Sequence, residues 1–132
     1  MERDLNKKLL EFNALELQFN EIEQQKAIIE KQITELKVLE NSLDKLKENQ
    51  KEKEMFSQIG PDIFVASKLE DNKKVLVNVG AKVFVKKNIE DSKKSINNDI
   101  NKLEKIYKEI TNNSEILIAR LMYLEQEIKV NS

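Results

Sequence analysis

The sequence contains neither cysteine nor histidine, and their absence excludes several kinds of chemistry. Without cysteine there is no disulfide framework and no thiolate nucleophile. Without histidine the chain lacks the commonest general base and the commonest metal ligand. Tryptophan is also absent, and this composition offers little with which to build the concave site that an enzyme needs. We therefore predict no enzymatic activity, no catalytic residue, no metal site and no cofactor.

Glycine, proline and aromatic residues are scarce. The 132 residues include two Gly, one Pro and 5% aromatics, whereas 36% are charged. This profile is typical of long helices or coiled coils rather than of a domain with one large core. The 23 basic and 24 acidic residues nearly cancel, which argues against a nucleic-acid partner. No apolar run approaches the roughly 18 residues that span a bilayer, and residues 1–4 open no signal peptide, so we expect a cytoplasmic protein without a membrane partner.

Apolar residues recur at alternating spacings of three and four in two long segments, which predicts the seam of a left-handed coiled coil. The first helical segment is residues 1–54, with seam positions Phe12, Leu15, Phe19, Ile22, Lys26, Ile29, Ile33, Leu36, Glu40 and Leu43. A seam that shifts after Leu36 to Leu39, Leu43 and Leu46 is also open. The second segment is residues 88–132, capped by Asn88, with seam positions Ile96, Ile100, Leu103, Tyr107, Ile110, Ser114, Leu117, Leu121, Leu124 and Ile128.

The middle segment, residues 55–87, is rich in β-type residues. Gly60-Pro61 and Gly80 predict turns or bends, and Glu70–Lys73 is interpreted as a hairpin loop. We predict strands at Ile63–Leu69, Val75–Val79 and Val83–Lys87, and a shorter one at Phe56–Ile59. No internal repeat is expected. The predicted fold is mainly α, an antiparallel coiled-coil hairpin with two β-hairpins inserted between its long helices.

Short hairpins are marginally stable alone, and their open edges recruit further strands. Because the chain holds no other β-type sequence, we expect those strands to come from other chains, in a β-barrel shared between subunits. The residues expected to form it are Ile63, Val65, Val75, Val77, Val79, Val83 and Val85.

The unequal lengths of the two helical segments predict an exposed apolar end. Pairing Leu46 with Ile96, and Phe19 with Leu124, leaves about ten residues at the start of the first helix without a partner. The residues expected to contact other polypeptides there are Leu5, Leu9, Leu10, Phe12, Leu17, Phe19, Met122, Tyr123 and Val130. For Phe12 and Phe19, packing in the seam is the alternative role.

The middle segment resembles that of α-type prefoldin subunits. The residues that carry the resemblance are Ile59-Gly60-Pro61, Phe64-Val65, Lys68-Leu69, Val75-Leu76-Val77-Asn78-Val79-Gly80, Val83-Phe84-Val85 and Asn88-Ile89-Glu90-Asp91, between two long helices. The two hairpins indicate the α class. Where the family often has a second glycine after Gly80, this chain has Ala81 and Lys82, so its choice of partner is expected to differ or to include itself.

The resemblance implies an ATP-independent chaperone, or holdase. Its expected partners are β-type prefoldin subunits or copies of itself, unfolded polypeptides held at the helix ends, and a group II chaperonin that receives them. The resemblance and the Lys-, Ile- and Asn-rich composition favour an archaeal source. Two alternatives remain: a self-assembling, filament-forming scaffold with secondary chaperone activity, and a tethering or RNA-binding coiled-coil hairpin, which the charge balance disfavours.

Overall fold

Two long helices flank two β-hairpins in the order of the chain. The computed structural model describes residues 2–49 and 52–131. Its elements are α1 (Glu2–Glu48), β1 (Glu54–Gly60), β2 (Ile63–Lys68), β3 (Lys74–Gly80), β4 (Val83–Asn88) and α2 (Ile89–Asn131). The predicted mainly α fold with two inserted hairpins is confirmed. Within the predicted helical segments, positions 1, 50, 51 and 132 lie outside the described residues.

Helix α1 ends at Glu48, although the sequence pattern predicted a helix to about residue 54. The Asn49 N–H donates to the Leu46 carbonyl at 3.2 Å, and the Asn49 carbonyl accepts a bond from the Asn72 side chain at 2.9 Å. Helices in proteins are stabilised mainly by packing of an apolar face, and no apolar residue follows Leu46 before Met55. The helix therefore stops soon after its last packed residue.

The chain divides into two compact units, Met1–Thr34 with Asn101–Ser132, and Glu35–Ile100. In the first unit the two helices run antiparallel, because Lys8 bonds Glu127 and Ser114 bonds Glu23. The predicted seam is observed there, since every α1 seam position from Phe12 to Ile33 is half-buried. On α2, Leu121 and Leu124 are buried, Leu124 completely.

The predicted register between the helices is wrong by one heptad. The Lys8 Nζ lies 3.3 Å from Glu127 Oε2, so the start of α1 lies beside the end of α2 and Leu5 is half-buried. The predicted overhang of about ten residues does not exist. The packed seam of α2 begins at Ile89, one heptad before Ile96, which was predicted as its first position.

The second unit has its own small core. Leu43, Ile89, Ile96 and Ile100 are buried together, and Leu36, Leu46 and Val75 pack against them. Leu39 is 45% exposed whereas Glu40 is half-buried, so the seam continues through Glu40 and does not shift to Leu39. Helix α2 is tied to the link before β3 by a bond from the Ile89 N–H to the Lys73 carbonyl at 2.8 Å.

Strand β1 pairs with β2, and β3 with β4, each in a separate two-stranded antiparallel sheet. The turns are therefore Pro61-Asp62 and Ala81-Lys82, and the interpretation of Glu70–Lys73 as a hairpin loop was wrong. Ala81 and Lys82 have φ of 48° and 62°, the positive values of the turn type that best matches strand twist. The segment 69–73 links the hairpins, with the Lys73 N–H donating to Asp71 Oδ1 at 2.8 Å.

The two hairpins are copies of one pattern, twenty residues apart, so the prediction of no internal repeat was wrong. QIGPDIFV at 58–65 matches NVGAKVFV at 78–85. Gly60 pairs with Ile63 as Gly80 pairs with Val83, and each first strand carries the same register shift just before its glycine. The repeat therefore extends from sequence to strand pairing.

Candidate functional site

The hairpins expose large apolar side chains at equivalent positions of the repeat. Phe64 and Phe84 are 58% and 59% exposed, and Phe56 and Leu76 are 74% and 65% exposed. Ile59 and Val79, Ile63 and Val83, and Val65 and Val85 are also exposed in matching pairs. Several large exposed apolar side chains on one short hairpin mark an interaction site, and the open strand edges beside them supply unpaired backbone groups. We call these ten residues the hairpin surface.

The residues predicted to form a shared barrel fall into two groups. Ile63, Val65, Val79, Val83 and Val85 belong to the hairpin surface, whereas Val75 and Val77 are half-buried. Val75 packs against the core of its own unit, because alternate residues of β3 point toward opposite faces.

The prediction missed Phe56, Phe64, Leu76 and Phe84, the largest exposed side chains of the hairpins apart from Met55. It concentrated on β-branched residues, which pack well on a sheet but are also used within the chain. The repeated Ile-Phe-Val and Val-Phe-Val triplets were the signal that would have found the two phenylalanines.

An apolar groove of about 530 Å³ runs beside β3 in the second unit. Leu36, Leu39 and Leu43 of α1 form one wall, and Val75 and Leu76 contribute from β3. Leu39, the residue left out of the seam, is therefore part of a surface open to solvent next to the hairpin surface.

The residues predicted to contact other polypeptides also divide by exposure. Phe12, Phe19 and Leu5 are half-buried on the seam side of α1. Leu10, Leu17, Met122 and Val130 are more than 60% exposed, and Leu9 and Tyr123 are 39% and 52% exposed. The structure thus places the two phenylalanines in the helix–helix contact and leaves the off-seam residues available to a partner.

A stripe on α2, residues Ile116, Tyr123 and Val130, extends this exposed set. They are 68%, 52% and 77% exposed, and a spacing of seven keeps them on one side of the helix. Ile116 was not among the residues predicted to contact other polypeptides. The signal was a second heptad repeat, displaced by two residues from seam positions Ser114, Leu121 and Ile128.

The Tyr123 ring lies beside a charged side chain that joins the two helices. The Arg120 guanidinium lies 5.2 Å from the centre of the Tyr123 ring, within the range of a cation–π contact. The same guanidinium donates to both carboxylate oxygens of Glu11, at 3.0 Å and 3.2 Å. The hydrogen bond to Glu11 raises the pKa of Arg120. Arg120 therefore joins the two helices while one ring of the stripe rests beside it.

Two polar residues of the seam, Ser114 and Lys26, both contact Glu23. The Ser114 hydroxyl is buried and donates to Glu23 Oε1 at 2.7 Å, and the Lys26 Nζ lies 3.8 Å from the same oxygen. Lys26 also lies 5.7 Å from the centre of the Tyr107 ring. Polar groups at core positions of a coiled coil favour one register over others.

Two ion pairs join the helices in the second unit. Lys47 bonds Glu90, and this hydrogen bond lowers the pKa of the Glu90 carboxyl. Lys93 bonds Asp44, which raises the pKa of Lys93. Glu90 also lies in the first turn of α2, where an acidic side chain is favoured by the helix dipole. In residues 2–49 and 52–131, no helix is long and apolar enough to cross a membrane.

The paired helices, the two hairpins and the exposed apolar surfaces are the features of a subunit that assembles with other chains. A family model described as prefoldin subunit matches residues 15–132, and the chain belongs to the prefoldin family. It is thus a prefoldin-type chaperone subunit. A comparison with curated proteins gave no match.

The fold is also similar to that of a solved structure, the filamentous PFD of Methanocaldococcus jannaschii, determined by cryo-electron microscopy. The two chains are 22% identical, with a TM-score of 0.73 over 92% of this chain and 98% of the other. This likeness supports the conclusion that two long helices with two small hairpins between them form a prefoldin fold.

Proposed function

We propose that this chain is an ATP-independent holdase that keeps non-native polypeptides from aggregating. The observation that carries the proposal is the exposed apolar set on the paired helices of the first unit, Leu10 and Leu17 on α1 and Ile116, Met122, Tyr123 and Val130 on α2. We call these six residues the client surface. Small clusters of apolar residues on a charged helical background suit weak contacts with many unfolded chains, and the flexible Met122 side chain adapts to different partners.

The family resemblance supports the further steps. The client is held near the start of α1 and the end of α2 and is then passed to a group II chaperonin. The subunit works in the cytoplasm as part of an oligomer made with β-type prefoldin subunits, with copies of itself, or with both. The hairpin surface supplies the intersubunit contacts, in a β-barrel to which each chain contributes its strands.

The proposal is tested by aggregation of a chemically unfolded model protein, followed by light scattering without nucleotide. The variant carries Leu10→Ser, Leu17→Ser, Met122→Ser and Val130→Ser, all at exposed positions outside the seam. We expect the chain to suppress scattering and the variant to lose most of this protection. Removing residues 1–12 is a poorer test, because it also removes the seam residue Phe12 and the Glu11–Arg120 contact.

The matched control carries Val38→Ser, which replaces a 61% exposed apolar residue in the second unit. It should protect as well as the unchanged chain. Equal protection by the client-surface variant and the unchanged chain, at equal helicity and assembly mass, would contradict the proposed client surface.

A second candidate function is self-assembly into a structural scaffold. It is favoured by the hairpin surface and by the strand edges of the two hairpins, four in all, which other chains can pair with. The likeness to a filamentous prefoldin also favours it. The mass of the purified chain over a concentration series tests it. A growing homo-assembly supports the scaffold, whereas a small species that gains mass only on adding a β-type subunit contradicts it.

A further inference from the structure

The two hairpins share geometry but carry opposite charge. β1–β2 contains Glu54, Asp62 and Lys68, a net charge of −1. β3–β4 contains Lys74, Lys82, Lys86 and Lys87 and no acid, a net charge of +4. All seven side chains are exposed.

The inversion occurs at equivalent positions of the repeat. Glu54 and Lys74 each begin the first strand of their hairpin, and Asp62 and Lys82 each occupy the second position of the turn. Asp71, on the link before β3, offsets part of the basic charge. Its pKa is lowered mainly by the hydrogen bond from the Lys73 N–H, and further by the nearby Lys74 and Lys86. Lys82 lies at the opposite end of the hairpin from this link.

We propose that the hairpins select each other between copies of this chain, so that β1–β2 of one copy docks on β3–β4 of the next. The exposed apolar pairs Phe56 with Phe64, and Leu76 with Phe84, provide the contact. The opposite charges around them provide the selection. This inference rests on the proposed self-assembly and adds which surface meets which.

Electrostatics disfavours the contact of two β3–β4 hairpins strongly and the contact of two β1–β2 hairpins only weakly. Two copies of β3–β4 would bring charges of +4 together, whereas the mixed pairing brings +4 to −1. Repulsion between like charges at the rim suppresses wrong pairings more strongly than attraction adds affinity. The shared apolar pattern alone does not distinguish these arrangements, because both hairpins present equivalent side chains.

The pairing of two different surfaces has a consequence for symmetry. A contact between β1–β2 and β3–β4 closes into a dimer when two copies make it reciprocally, and otherwise leaves one free hairpin at each end. Such heterologous contacts propagate into a ring or an open chain. The proposal therefore predicts assemblies of two or more copies, of which open chains grow with concentration.

The test uses two full-length charge variants. Variant A carries Glu54→Lys and Asp62→Lys, which makes β1–β2 +3 and leaves β3–β4 at +4. Variant B carries Lys74→Glu, Lys82→Glu, Lys86→Glu and Lys87→Glu, which makes β3–β4 −4 beside β1–β2 at −1. Each variant has hairpins of one sign, while an equimolar mixture restores attraction for both mixed pairings. Circular dichroism checks that each variant keeps its helices.

Sedimentation velocity should show the unchanged chain assembling and each variant alone assembling about tenfold more weakly or not at all. The mixture should assemble again. Added salt should weaken the assembly of the unchanged chain, because the Debye length falls from about 10 Å at 0.1 M to about 3 Å at 1 M. If both variants assemble alone like the unchanged chain, or the mixture fails to recover, the charge selection is wrong while self-assembly stands. An unchanged chain that stays monomeric over the series overturns both.

Discussion

At the scale of single residues, the turn of the second hairpin stores backbone strain. Ala81 and Lys82 both adopt positive φ, a conformation that costs non-glycine residues roughly 1–2 kcal/mol each. Gly80 precedes them at φ 124°, and its N–H donates to the Asn78 side chain at 2.9 Å. The glycine that the family often has in this turn would relieve the strain.

Ala81→Gly should therefore stabilise the second hairpin by about 1 kcal/mol, reduced by the extra freedom that glycine has in the unfolded chain. The measurement is chemical unfolding followed by circular dichroism. Ala66→Gly is the control, because Ala66 lies in β2, where glycine should destabilise. Equal effects of the two substitutions would show that φ at residue 81 is not the cause.

The carboxyl groups of Glu90 and Asp71 make stability depend on acid. The pKa of Glu90 is lowered by its hydrogen bond from Lys47, and that of Asp71 by the bond from the Lys73 N–H. A carboxyl group whose pKa is lowered by folding stabilises the protein at pH values above the pKa it has in the unfolded chain. This stabilisation is lost as the pH falls through the lowered pKa of the folded state. We expect a melting temperature that is level near neutral pH and falls below about pH 4.

Glu90→Gln isolates the Glu90 contribution. The variant should melt lower than the unchanged chain at neutral pH, and the difference between them should shrink in acid, where the carboxylate is protonated in both states. A difference that stays constant with pH would mean that the pair with Lys47 does not set the dependence.

At the scale of elements, the coiled coil depends on a few buried seam residues among many exposed ones. Leu124 is fully buried on α2, and Met122, two positions earlier, is 63% exposed. The contrast follows from helical periodicity, which places residues two apart on different sides.

Leu124→Ala should destabilise the chain by about 2–5 kcal/mol, because it removes buried methyl groups and leaves a cavity. Met122→Ala should change stability by less than about 0.5 kcal/mol, since surface substitutions have small effects. Thermal unfolding of both variants measures the contrast. Similar losses for the two would indicate that Met122 is covered, and would remove it from the client surface.

At the scale of the whole molecule, we expect contacts between subunits and contacts with client polypeptides to use different surfaces. Phe64→Ser with Phe84→Ser removes two exposed rings from the hairpin surface without touching the buried core. The double variant should lose assembly mass by light scattering, because apolar contact supplies the affinity. Ile106→Ser, at a 42% exposed site on α2, should keep the mass of the unchanged chain. Loss of helicity in the double variant would instead mean that the rings support the fold.

The sequence by itself determined the local elements. The three-four spacing from Phe12 to Leu43 and from Ile96 to Ile128 predicted which residues line the seam, because this period follows from helix geometry. The β-type runs around Gly60 and Gly80 predicted the hairpins, because runs of β-branched and aromatic residues bounded by turn residues favour strands. The apolar character of the hairpins was also visible, although Phe64 and Phe84 were overlooked.

The tertiary structure decided what touches what. Heptads repeat every seven residues, so a register shifted by one heptad satisfies the seam equally well. The buried packing of Ile89, with the Lys8–Glu127 and Ser114–Glu23 bonds, selects the observed one. Strand pairing likewise depended on the two tight turns. The burial of Val75 depended on its packing against residues of α1 and α2, which come from distant parts of the chain. A period along one chain predicts a face, but only contacts between distant residues choose its partner.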